Sequence, residues 1–523
     1  MRMERRVGII GAGTSGLLAC KYLVEKGFHP VVFEAEDGIG GLWRHTIEST
    51  KLQNSRESYR FSDFPWDSSV KEENPSSLQV LQYLDSYAQK FGILSHIRFN
   101  SKVIDIDYVG EVTEEITESW DLWGGTGKPF GSKGKWHLQV QHTESLSTEV
   151  YEVEFVVLCI GKYSGVPNIP KFPAGQGPEV FKGQVIHSMD FSSMANEDAA
   201  KLIKSKRVTV IGSQKSAYDI VAECASANGI KQPCTMVQRT VHWFLPDSNI
   251  WGINLAFLYF NRFSEFLFHK PGESFFLSLV ATLFAPLRWA ISKFVESNLR
   301  WRLPLDKFGL VPNDSFLQGL SSCQIGILPQ NFYDRVKEGS IIIKRSEGFK
   351  FCKEGLIIDG DSKPIETDLV ILATGFRGDQ KLRNIFKSPL FQNHITPSAK
   401  SSVPLYRQIL HARIPQVAII GFAEGLSNLF AFEMRCKWLA SFLDGSIELP
   451  SVREMEKEVK IWEDSMKLYG GKYYWKSCIT NCHIWYNDQL CKDMGCNPRR
   501  KKGFFAELFL PYGPTDYMGL STK

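Results

Sequence analysis

Two glycine-containing turns have the spacing of dinucleotide-binding sites, and each stands between a predicted strand and a predicted helix. The first turn reads VGIIGAGTSG and places glycines in the pattern G-x-G-x-x-G. The first glycine permits a tight turn, the second lets backbone approach a pyrophosphate, and the third lets the helix pack closely on the strand. Amide groups at the start of the helix then face the phosphates. The predicted phosphate-binding residues of this first turn are Gly11, Ala12, Gly13, Thr14, Ser15 and Gly16.

Residues beyond the first turn indicate which dinucleotide it binds. Glu34 ends the next predicted strand, where a carboxylate suits ribose hydroxyls and would repel a 2′-phosphate. The stretch GIGGLWRH follows, in which Gly40 and Gly41 allow another close backbone approach and Trp43 supplies an aromatic wall. Gly41, Leu42 and Trp43 are the predicted cofactor contacts of this stretch. Combined with a first turn at the extreme N-terminus, this pattern favours FAD over NAD.

The second turn departs from the usual pattern at its middle glycine. It follows the apolar run RVTVI and comprises Gly212, Ser213, Gln214, Lys215, Ser216 and Ala217. Alanine is an accepted substitute at the packing position, whereas Gln214 brings a side chain to the place where backbone normally meets phosphate. We expect Lys215 to compensate by offering a cation to the pyrophosphate.

Arg239 follows the next predicted strand, at the position where an acidic residue would select NAD. Its forked donors suit a 2′-phosphate. The second turn is therefore predicted to bind NADPH, with an ordinary surface arginine as the alternative interpretation.

The periodicity of apolar residues predicts an α/β fold with two Rossmann-like dinucleotide-binding domains. Strands are predicted at 7–10, 30–34, 136–141, 151–159, 207–211 and 235–238. Helices are predicted at 15–26 and, after the strand 207–211, through Cys224. A further helix follows Ser76 or Ser77, either of which can serve as N-cap. The segment 161–170, GKYSGVPNIP, is predicted to cross between the domains, and 368–379 resembles a return connection. The predicted units are 1–165, 166–340 with an apolar helical insertion at about 248–305, and 341–523, where the first domain resumes and ends in a helical region.

Composition excludes several classes of protein. The 523 residues carry a net charge of only +4, so electrostatics give no indication of a nucleic-acid partner. The eleven cysteines are scattered and odd in number, which favours a reducing compartment. Cys478, Cys482, Cys491 and Cys496, which lie close to His483, depart from the usual zinc spacing. We predict mostly buried thiols there and no metal site, with a zinc site as the less favoured alternative. The first predicted strand begins near Arg6, so we expect no signal or transit peptide.

The region 251–287 is unusually apolar. The stretches WGINLAFLYF and SFFLSLVATLFAPL lack charge, but each is shorter than the ~20 apolar residues that span a bilayer. We favour a buried helical subdomain. A patch that touches a membrane surface or lines an apolar substrate path is the alternative.

A third motif lies between the two turns and carries a family resemblance. The stretch FKGQVIHSMDF places Phe181, Gly183, His187 and Phe191 in the spacing F-x-G-x-x-x-H-x-x-x-[YF], which resembles the identifying motif of flavin-containing monooxygenases. EDGIGGLW, LQNSRESYRFSDFPW and LATGF extend the resemblance over nearly the whole chain. KSAYD and the ending PRRKKGFFAELFLPYGPTDY are similar to a plant branch. Ser192, which replaces the lysine or proline usual after the motif, Gln214, and the lack of the hydrophobic C-terminal anchor of animal enzymes are departures.

The resemblance implies a specific chemistry. Enzymes of this family reduce FAD with NADPH and form a C4a-hydroperoxyflavin with O2, which transfers one oxygen atom to a soft nucleophile. Asn54 matches the family's active-site asparagine, and His187, Thr374 and Gly375 fall at positions of cofactor contact. His187 is expected to couple the domains and place NADPH, with a purely structural role as the alternative.

For this chain we expect N-hydroxylation of a small amine or amino-acid-derived substrate, with S-oxygenation of thioethers as the alternative. We expect a cytoplasmic protein, with a peripheral position on the endoplasmic reticulum surface left open. The sequence leaves the oligomeric state open.

Three rival functions share parts of this pattern. A disulfide reductase needs a redox-active cysteine pair beside the flavin, and none occurs near residues 40–60 or in the second unit. A Baeyer–Villiger monooxygenase has a related motif that ends in Trp-Pro, where this chain has Phe191 and Ser192. A flavoprotein that has lost NADPH binding and acts as a regulator remains open because of Gln214.

Overall fold

The fold consists of two open, mainly parallel sheets with helices on their faces. A computed structural model of the chain describes residues 5–119, 123, 127–395, 402–425 and 427–520. The two sheets have seven and five strands, and each carries one of the predicted dinucleotide turns at the carboxyl end of a central strand. The predicted α/β fold with two Rossmann-like units is confirmed.

The first sheet has its parallel strands around the N-terminal strand and an antiparallel extension at one edge. Its strands, in spatial order, are Leu405–Tyr406, Leu410–His411, Val417–Ile419, Phe155–Leu158, Val7–Ile10, Val31–Phe33 and Ile97–Arg98. The central strands are buried on both faces, which explains their continuous apolar sequence. The helix Thr14–Glu25 follows the first strand and packs against Asn428–Leu443.

The second sheet is parallel throughout. Its strands, in spatial order, are Ile341–Arg345, Cys234–Gln238, Val208–Ile211, Leu369–Leu372 and Gln184–His187. Two of these strands lie C-terminal to residue 340, so the predicted boundary at 340/341 is wrong. The second unit's sheet ends only with Leu369–Leu372, because an apolar strand next to the central strand completes its core.

Two connections link the sheets, as predicted. The chain leaves the first sheet at Phe155–Leu158 and enters the second at Gln184–His187, through the Gly/Pro-rich segment 161–170. It returns after Leu369–Leu372, and Pro167 pairs with Phe376 as an antiparallel bridge. The outgoing and returning segments therefore lie side by side between the two units.

The structure confirms the predicted N-cap at Ser76 and divides the strand predicted at 151–159. Ser76 is the N-cap of Ser77–Lys90, where its hydroxyl accepts from the Gln79 amide and the Gln79 side chain completes a capping box. The single strand predicted at 151–159 is in fact two strands in different sheets. Thr148–Val153 pairs with Lys135–His142, and Phe155–Leu158 belongs to the first sheet.

Smaller elements complete the fold. The minor sheets comprise Ser101–Val109 with Lys135–His142 and Thr148–Val153, Phe349–Cys352 with Gly355–Ile358 and Ile365–Glu366, Phe244–Leu245 with Gly326–Ile327, and Asn249–Ile250 with Ile253–Asn254. The other helices are Glu114–Thr117, Ser188–Ser192, Asn196–Ile203, Lys215–Asn228, Leu255–Tyr259, Arg262–Phe266, Phe275–Leu283, Ala285–Arg302, Phe316–Ser321, Phe332–Glu338, Gly378–Asn384, Pro389–Ile395, Val452–Gly470, His483–Asp493 and Phe504–Phe509.

The apolar insertion is helical as predicted, but only part of it is buried. Its first stretch adds Leu255, Tyr259 and Phe260 to the core of the second unit, whereas Phe275–Leu283 is largely exposed. Within Phe275–Leu283 only Ala281 is buried, and the large side chains Phe275, Phe276 and Leu283 face outward. The favoured prediction of a buried subdomain is therefore wrong for Phe275–Leu283, because apolar composition alone does not show which face of a helix meets the protein.

Among the helices of the described ranges, no single one has both the length and the hydropathy of a membrane span. Phe275–Leu283 and Ala285–Arg302 meet both conditions only as a pair, with a bend of 49° between them.

One pair of cysteines is joined across the two units. Cys323 and Cys478, which are 155 positions apart, form a disulfide, so Cys478 is the exception among the cysteines predicted to be mostly buried thiols. Cys482, Cys491 and Cys496 are buried free thiols, as predicted. The link joins the end of Phe316–Ser321 to the C-terminal region, a pairing that sequence spacing cannot indicate.

Thiol counting tests this link. We expect nine reactive thiols in protein unfolded in denaturant without reductant and eleven after reduction, because only Cys323 and Cys478 are paired. Titration with a chromogenic disulfide reagent measures both numbers. Eleven thiols before reduction would contradict the pairing, and Cys323→Ser should give ten with or without reductant if the link exists.

Candidate functional site

The first turn has the geometry that each of its glycines predicts. The Gly11 amide donates to the Phe33 carbonyl at 2.8 Å, and a Cβ on Gly11 would lie 2.6 Å from the Cys159 carbonyl. Gly11 also has a φ of +101°, which disfavours other residues. A Cβ on Gly16 would lie only 1.9 Å from the Gly11 carbonyl oxygen. The helix can therefore approach the strand only because both positions lack a side chain.

Glu34 braces the first turn. Its carboxylate accepts from the Ala12 amide at 2.6 Å and from the Glu36 amide at 3.0 Å, in a buried position. Both bonds hold the carboxylate at the end of the strand Val31–Phe33, where ribose hydroxyls are expected to bind.

The GIGGLW loop closes against the same turn. The Gly40 amide donates to the Ala12 carbonyl at 3.1 Å, and a Cβ on Gly41 would lie 3.1 Å from the Gly13 Cα. Trp43 donates its indole N–H to the Tyr59 hydroxyl at 3.2 Å, while Leu42 is exposed. Two backbone segments thus approach each other with no side chains between them.

The second turn repeats the key geometry of the first. The Gly212 amide donates to the Val237 carbonyl at 3.0 Å, and a Cβ on Gly212 would lie 2.4 Å from the Ala373 carbonyl. Gln214 is the N-cap residue in an extended conformation with φ −113° and ψ −179°, close to the −72° and −175° of Gly13. This conformation accommodates a side chain, so Gln214 replaces glycine without backbone strain.

Both turns leave the following helix uncapped. Thr14–Glu25 and Lys215–Asn228 begin without a side-chain hydrogen bond to their first amides and without an acidic residue in the first turn. Side chains cap other helices of this chain, such as those that follow Ser76, Ser315 and Ser451. The free amide groups and the positive end of each helix are therefore available to phosphate.

The two side chains that distinguish the second turn from the first both bond to other side chains of the protein. Gln214 donates its amide to the Gln324 side-chain oxygen. Lys215 forms an ion pair with Asp219, one turn along the same helix. The structure therefore does not show Lys215 as a free cation for pyrophosphate; its charge is already neutralised in the helix.

Arg239 lies immediately after the strand Cys234–Gln238 and is exposed. It forms no ion pair with a carboxylate among the residues that the structure describes. An unpaired guanidinium at the end of the strand next to the second turn suits a 2′-phosphate.

Asn54 lies in the loop before Ser77–Lys90 and is half-buried. The Asn54 backbone carbonyl accepts a hydrogen bond from the Asn74 side-chain amide at 3.0 Å. The neighbouring Gln53 accepts from the Ile327 amide of the second unit at 3.3 Å. The Asn54 loop and Gln214 are therefore both held by the same segment, residues 324–327.

His187 is buried at the start of Ser188–Ser192. Its Nδ1 accepts from the Met189 amide at 3.1 Å, its ring packs edge-on against Phe376 at 5.4 Å, and its Nε2 has no hydrogen-bond partner among the described residues. Burial lowers the pKa of the His187 ring. A neutral ring that caps a helix and contacts the returning segment connects the two units.

Thr374 and Gly375 belong to the returning segment. The Thr374 hydroxyl donates to the Asn168 carbonyl at 2.5 Å, and the Asn168 amide donates to the Gly375 carbonyl at 2.9 Å. Their observed contacts fasten the two crossing segments to each other.

Sequence reasoning missed a buried ion cluster beside the crossing. Lys162 lies 3.1 Å from the Glu424 carboxylate, which also accepts from the Tyr163 hydroxyl. Burial raises the pKa of Glu424, but the Lys476 and Lys162 ammonium groups outweigh it and hold that pKa below its usual value. The partners are far apart in sequence, so no local motif could reveal this cluster. Gln324 was missed for the same reason.

The comparisons with known proteins cover nearly the whole chain. The profile of the family described as FMO-like, flavin-binding monooxygenase-like, matches residues 4–510. The probable flavin-containing monooxygenase 1 of Arabidopsis thaliana is 42% identical over 98% of this chain and 96% of its own length. The dimethylaniline monooxygenase [N-oxide-forming] 2 of Oryctolagus cuniculus is 25% identical over 95% of this chain and 84% of its own length.

Solved structures show a shared fold. S-allyl-L-cysteine S-oxygenase from Allium sativum aligns with a TM-score of 0.57 and 17% identity, covering 94% of this chain and 88% of its own. Cyclohexanone monooxygenase from Rhodococcus sp. Phi1, solved with NADP+ bound, aligns with a TM-score of 0.62 and 18% identity, covering 93% of this chain and 97% of its own.

Proposed function

The chain belongs to the flavin-binding monooxygenase-like family, and from that premise we propose that it adds one oxygen atom of O2 to the nitrogen of a small amine or amino-acid-derived substrate. It is a flavin-dependent monooxygenase whose cofactors are FAD and NADPH. The preference for nitrogen rests on the rabbit relative, which is named for N-oxide formation. Oxygenation of a thioether sulfur is the second candidate, favoured by the fold shared with the garlic S-oxygenase.

We assign FAD to the first turn and NADPH to the second. Glu34 at the first turn suits free ribose hydroxyls, and Arg239 beside the second turn suits a 2′-phosphate. The side-chain-free approach of Gly13 and Gly41 and the uncapped helix Thr14–Glu25 fit a pyrophosphate. When bound, the flavin supplies the activation of O2, and the protein must hold the reacting groups and exclude water.

One observation carries this proposal. Gln53, next to Asn54 in the first unit, and Gln214, in the second turn, both bond to residues 324–327. The loop that resembles the family's active-site loop is thereby fixed to the same segment as the NADPH turn. A mass shift of one oxygen atom in a substrate screen tests the activity, and a nitrogen or sulfur position of that atom separates the two candidates.

Asn54→Ala tests the proposed active-site residue. We expect the variant to keep its flavin and to oxidise NADPH, but to release most of the reducing equivalents as hydrogen peroxide, because the Asn54 amide can no longer hold the reacting oxygen atoms or the nicotinamide ribose. Peroxide formed per NADPH consumed measures the loss of coupling.

Asn196→Ala is the matched control, since Asn196 is exposed at the start of a helix in the second unit. It should leave coupling unchanged. Unaltered coupling in Asn54→Ala would count against the assignment of Asn54.

A further inference from the structure

The helix Phe275–Leu283 turns its large apolar side chains away from the protein. Phe276, Leu279 and Leu283 recur at helical spacing on one face, and Phe276 and Leu283 are 70% and 68% exposed. The inward face holds small residues, with Ala281 buried and the Ser278 hydroxyl 3.3 Å from His269 Nδ1. A helix that stabilised a core would have the opposite arrangement.

The C-terminal helix Phe504–Phe509 extends this exposed surface. Phe504 and Phe505 are 73% and 75% exposed. The ring of Phe263 contacts Phe509 at 5.3 Å and Phe284 at 6.4 Å, so the two exposed helices approach each other across one side chain. We call the joint surface the apolar face; its main residues are Phe275, Phe276, Leu279, Leu283, Phe504 and Phe505.

The exposed, unpaired charges beside Phe504–Phe509 are positive. Arg499 and Lys502 are exposed just before Phe504–Phe509, and neither forms an ion pair with a carboxylate in the described part of the chain. Glu507 is the acidic residue of that helix; its side chain is turned inward, 13% exposed, and forms an ion pair with Arg262, which also pairs with Asp488. The stretch 274–287 contributes no charge. The surface is therefore apolar with a cationic edge.

The following helix, Ala285–Arg302, carries two exposed indole rings. Trp289 and Trp301 are both largely exposed, and Trp301 stacks on Trp251 at 4.8 Å. Tryptophan is typical of the boundary between lipid chains and headgroups. Apolar helices with cationic residues and tryptophan at their edges have the composition of interfacial membrane-binding surfaces.

We propose that the apolar face binds the surface of a lipid bilayer that carries anionic headgroups. The aromatic and leucine side chains enter the boundary of the hydrocarbon region, and Arg499 and Lys502 contact the headgroups. This inference is independent of the substrate and of the cofactor assignment, since it uses none of the residues of the two turns.

The protein lies on the bilayer and does not span it. The helix Ala285–Arg302 is held to the second unit through its buried face, where Glu296 accepts from the Phe316 amide at 2.9 Å and from the Ser292 hydroxyl at 3.0 Å. Val295 and Leu299 are fully buried on that face. Insertion of this helix into lipid would expose the polar groups of Glu296 and Asn298, which are buried in the protein.

Flotation of the flavin-loaded protein with vesicles tests the proposal. We expect the protein to float with vesicles of phosphatidylcholine and phosphatidylserine and to bind less to phosphatidylcholine alone. The double variant Phe275→Ser/Phe276→Ser should weaken binding to the mixed vesicles by about tenfold or more. Arg499→Gln/Lys502→Gln should weaken binding to the mixed vesicles by roughly fivefold for each charge removed. Binding of this variant to vesicles of phosphatidylcholine alone should not change.

The matched control is Leu146→Ser/Ile230→Ser. These two side chains are 66% and 67% exposed, but lie on other elements of the protein. Flavin content and solution activity should stay the same in every variant, because none of these residues belongs to the nucleotide sites.

Equal vesicle binding by the Phe275→Ser/Phe276→Ser variant and the control variant would overturn the proposal. No binding of the unaltered protein to either vesicle would overturn it as well. So would self-association without lipid that the phenylalanine substitutions abolish, since the occupant of the face would then be a second copy of the chain.

Discussion

Protein that carries Gly16→Ala should be purified without bound flavin. A Cβ at this position would lie 1.9 Å from the Gly11 carbonyl oxygen, far inside any real contact. Neither atom can move as a flexible side chain would, because one lies on the helix and the other on the turn. The helix start must therefore shift from the strand and carry its free amides away from the phosphate position. Flavin absorbance per mole of purified protein measures the effect, and supplied FAD should not restore it.

The control for this experiment is Gly513→Ala. Gly513 has no atom within 4 Å of an added Cβ and an extended backbone with φ −144°. This variant should retain its flavin. Far-ultraviolet circular dichroism of both variants separates the loss of flavin from general unfolding. A folded Gly16→Ala protein with full flavin content would contradict the assignment of the first turn.

Arg239→Ala should raise the KM for NADPH by roughly 10- to 100-fold while leaving the KM for NADH nearly unchanged. Hydrogen bonds to charged groups contribute about 1.5–3 kcal/mol, and 1.4 kcal/mol corresponds to a factor of ten. The guanidinium is exposed after Cys234–Gln238, so its removal disturbs no buried contact. Only NADPH has the 2′-phosphate that this group would bind. Steady-state rates of NADPH and NADH oxidation measure the two constants.

Arg453→Ala is the matched control, because Arg453 is also exposed but lies in the helix Val452–Gly470 of the first unit. It should change neither constant. Arg239→Lys should fall between the unaltered protein and Arg239→Ala, since lysine keeps the charge but loses the forked geometry. Equal changes in the two KM values on Arg239→Ala would show that Arg239 does not read the 2′-phosphate.

The features that the sequence predicts well are local. Each turn is a strand, a glycine and a helix within about twenty residues, and glycine spacing reports a steric requirement that the structure shows directly at Gly11 and Gly16. The crossing segments were also predictable, because glycine and proline mark chain that leaves a sheet. The boundary predicted after residue 340 is too early because two short strands beyond it, Ile341–Arg345 and Leu369–Leu372, fit either sheet by composition.

The features that the sequence does not predict depend on distant partners. Gln214 and Gln324 meet across 110 positions, and Lys162 and Glu424 across 262. The Cys323–Cys478 pair is equally remote. The orientation of the helix Phe275–Leu283 is also not predictable from sequence, because the same apolar residues could face a core, a lipid or solvent. The structure shows the orientation by placing Ala281 against the protein.

We infer that one chain holds both FAD and NADPH and that electrons pass from NADPH to FAD. Anaerobic mixing of the purified protein with NADPH, followed by flavin absorbance, tests it most directly. We predict that the flavin absorbance is lost on mixing and returns after air is admitted. Protein that binds flavin but keeps its full flavin absorbance with saturating NADPH would contradict electron transfer from NADPH to FAD.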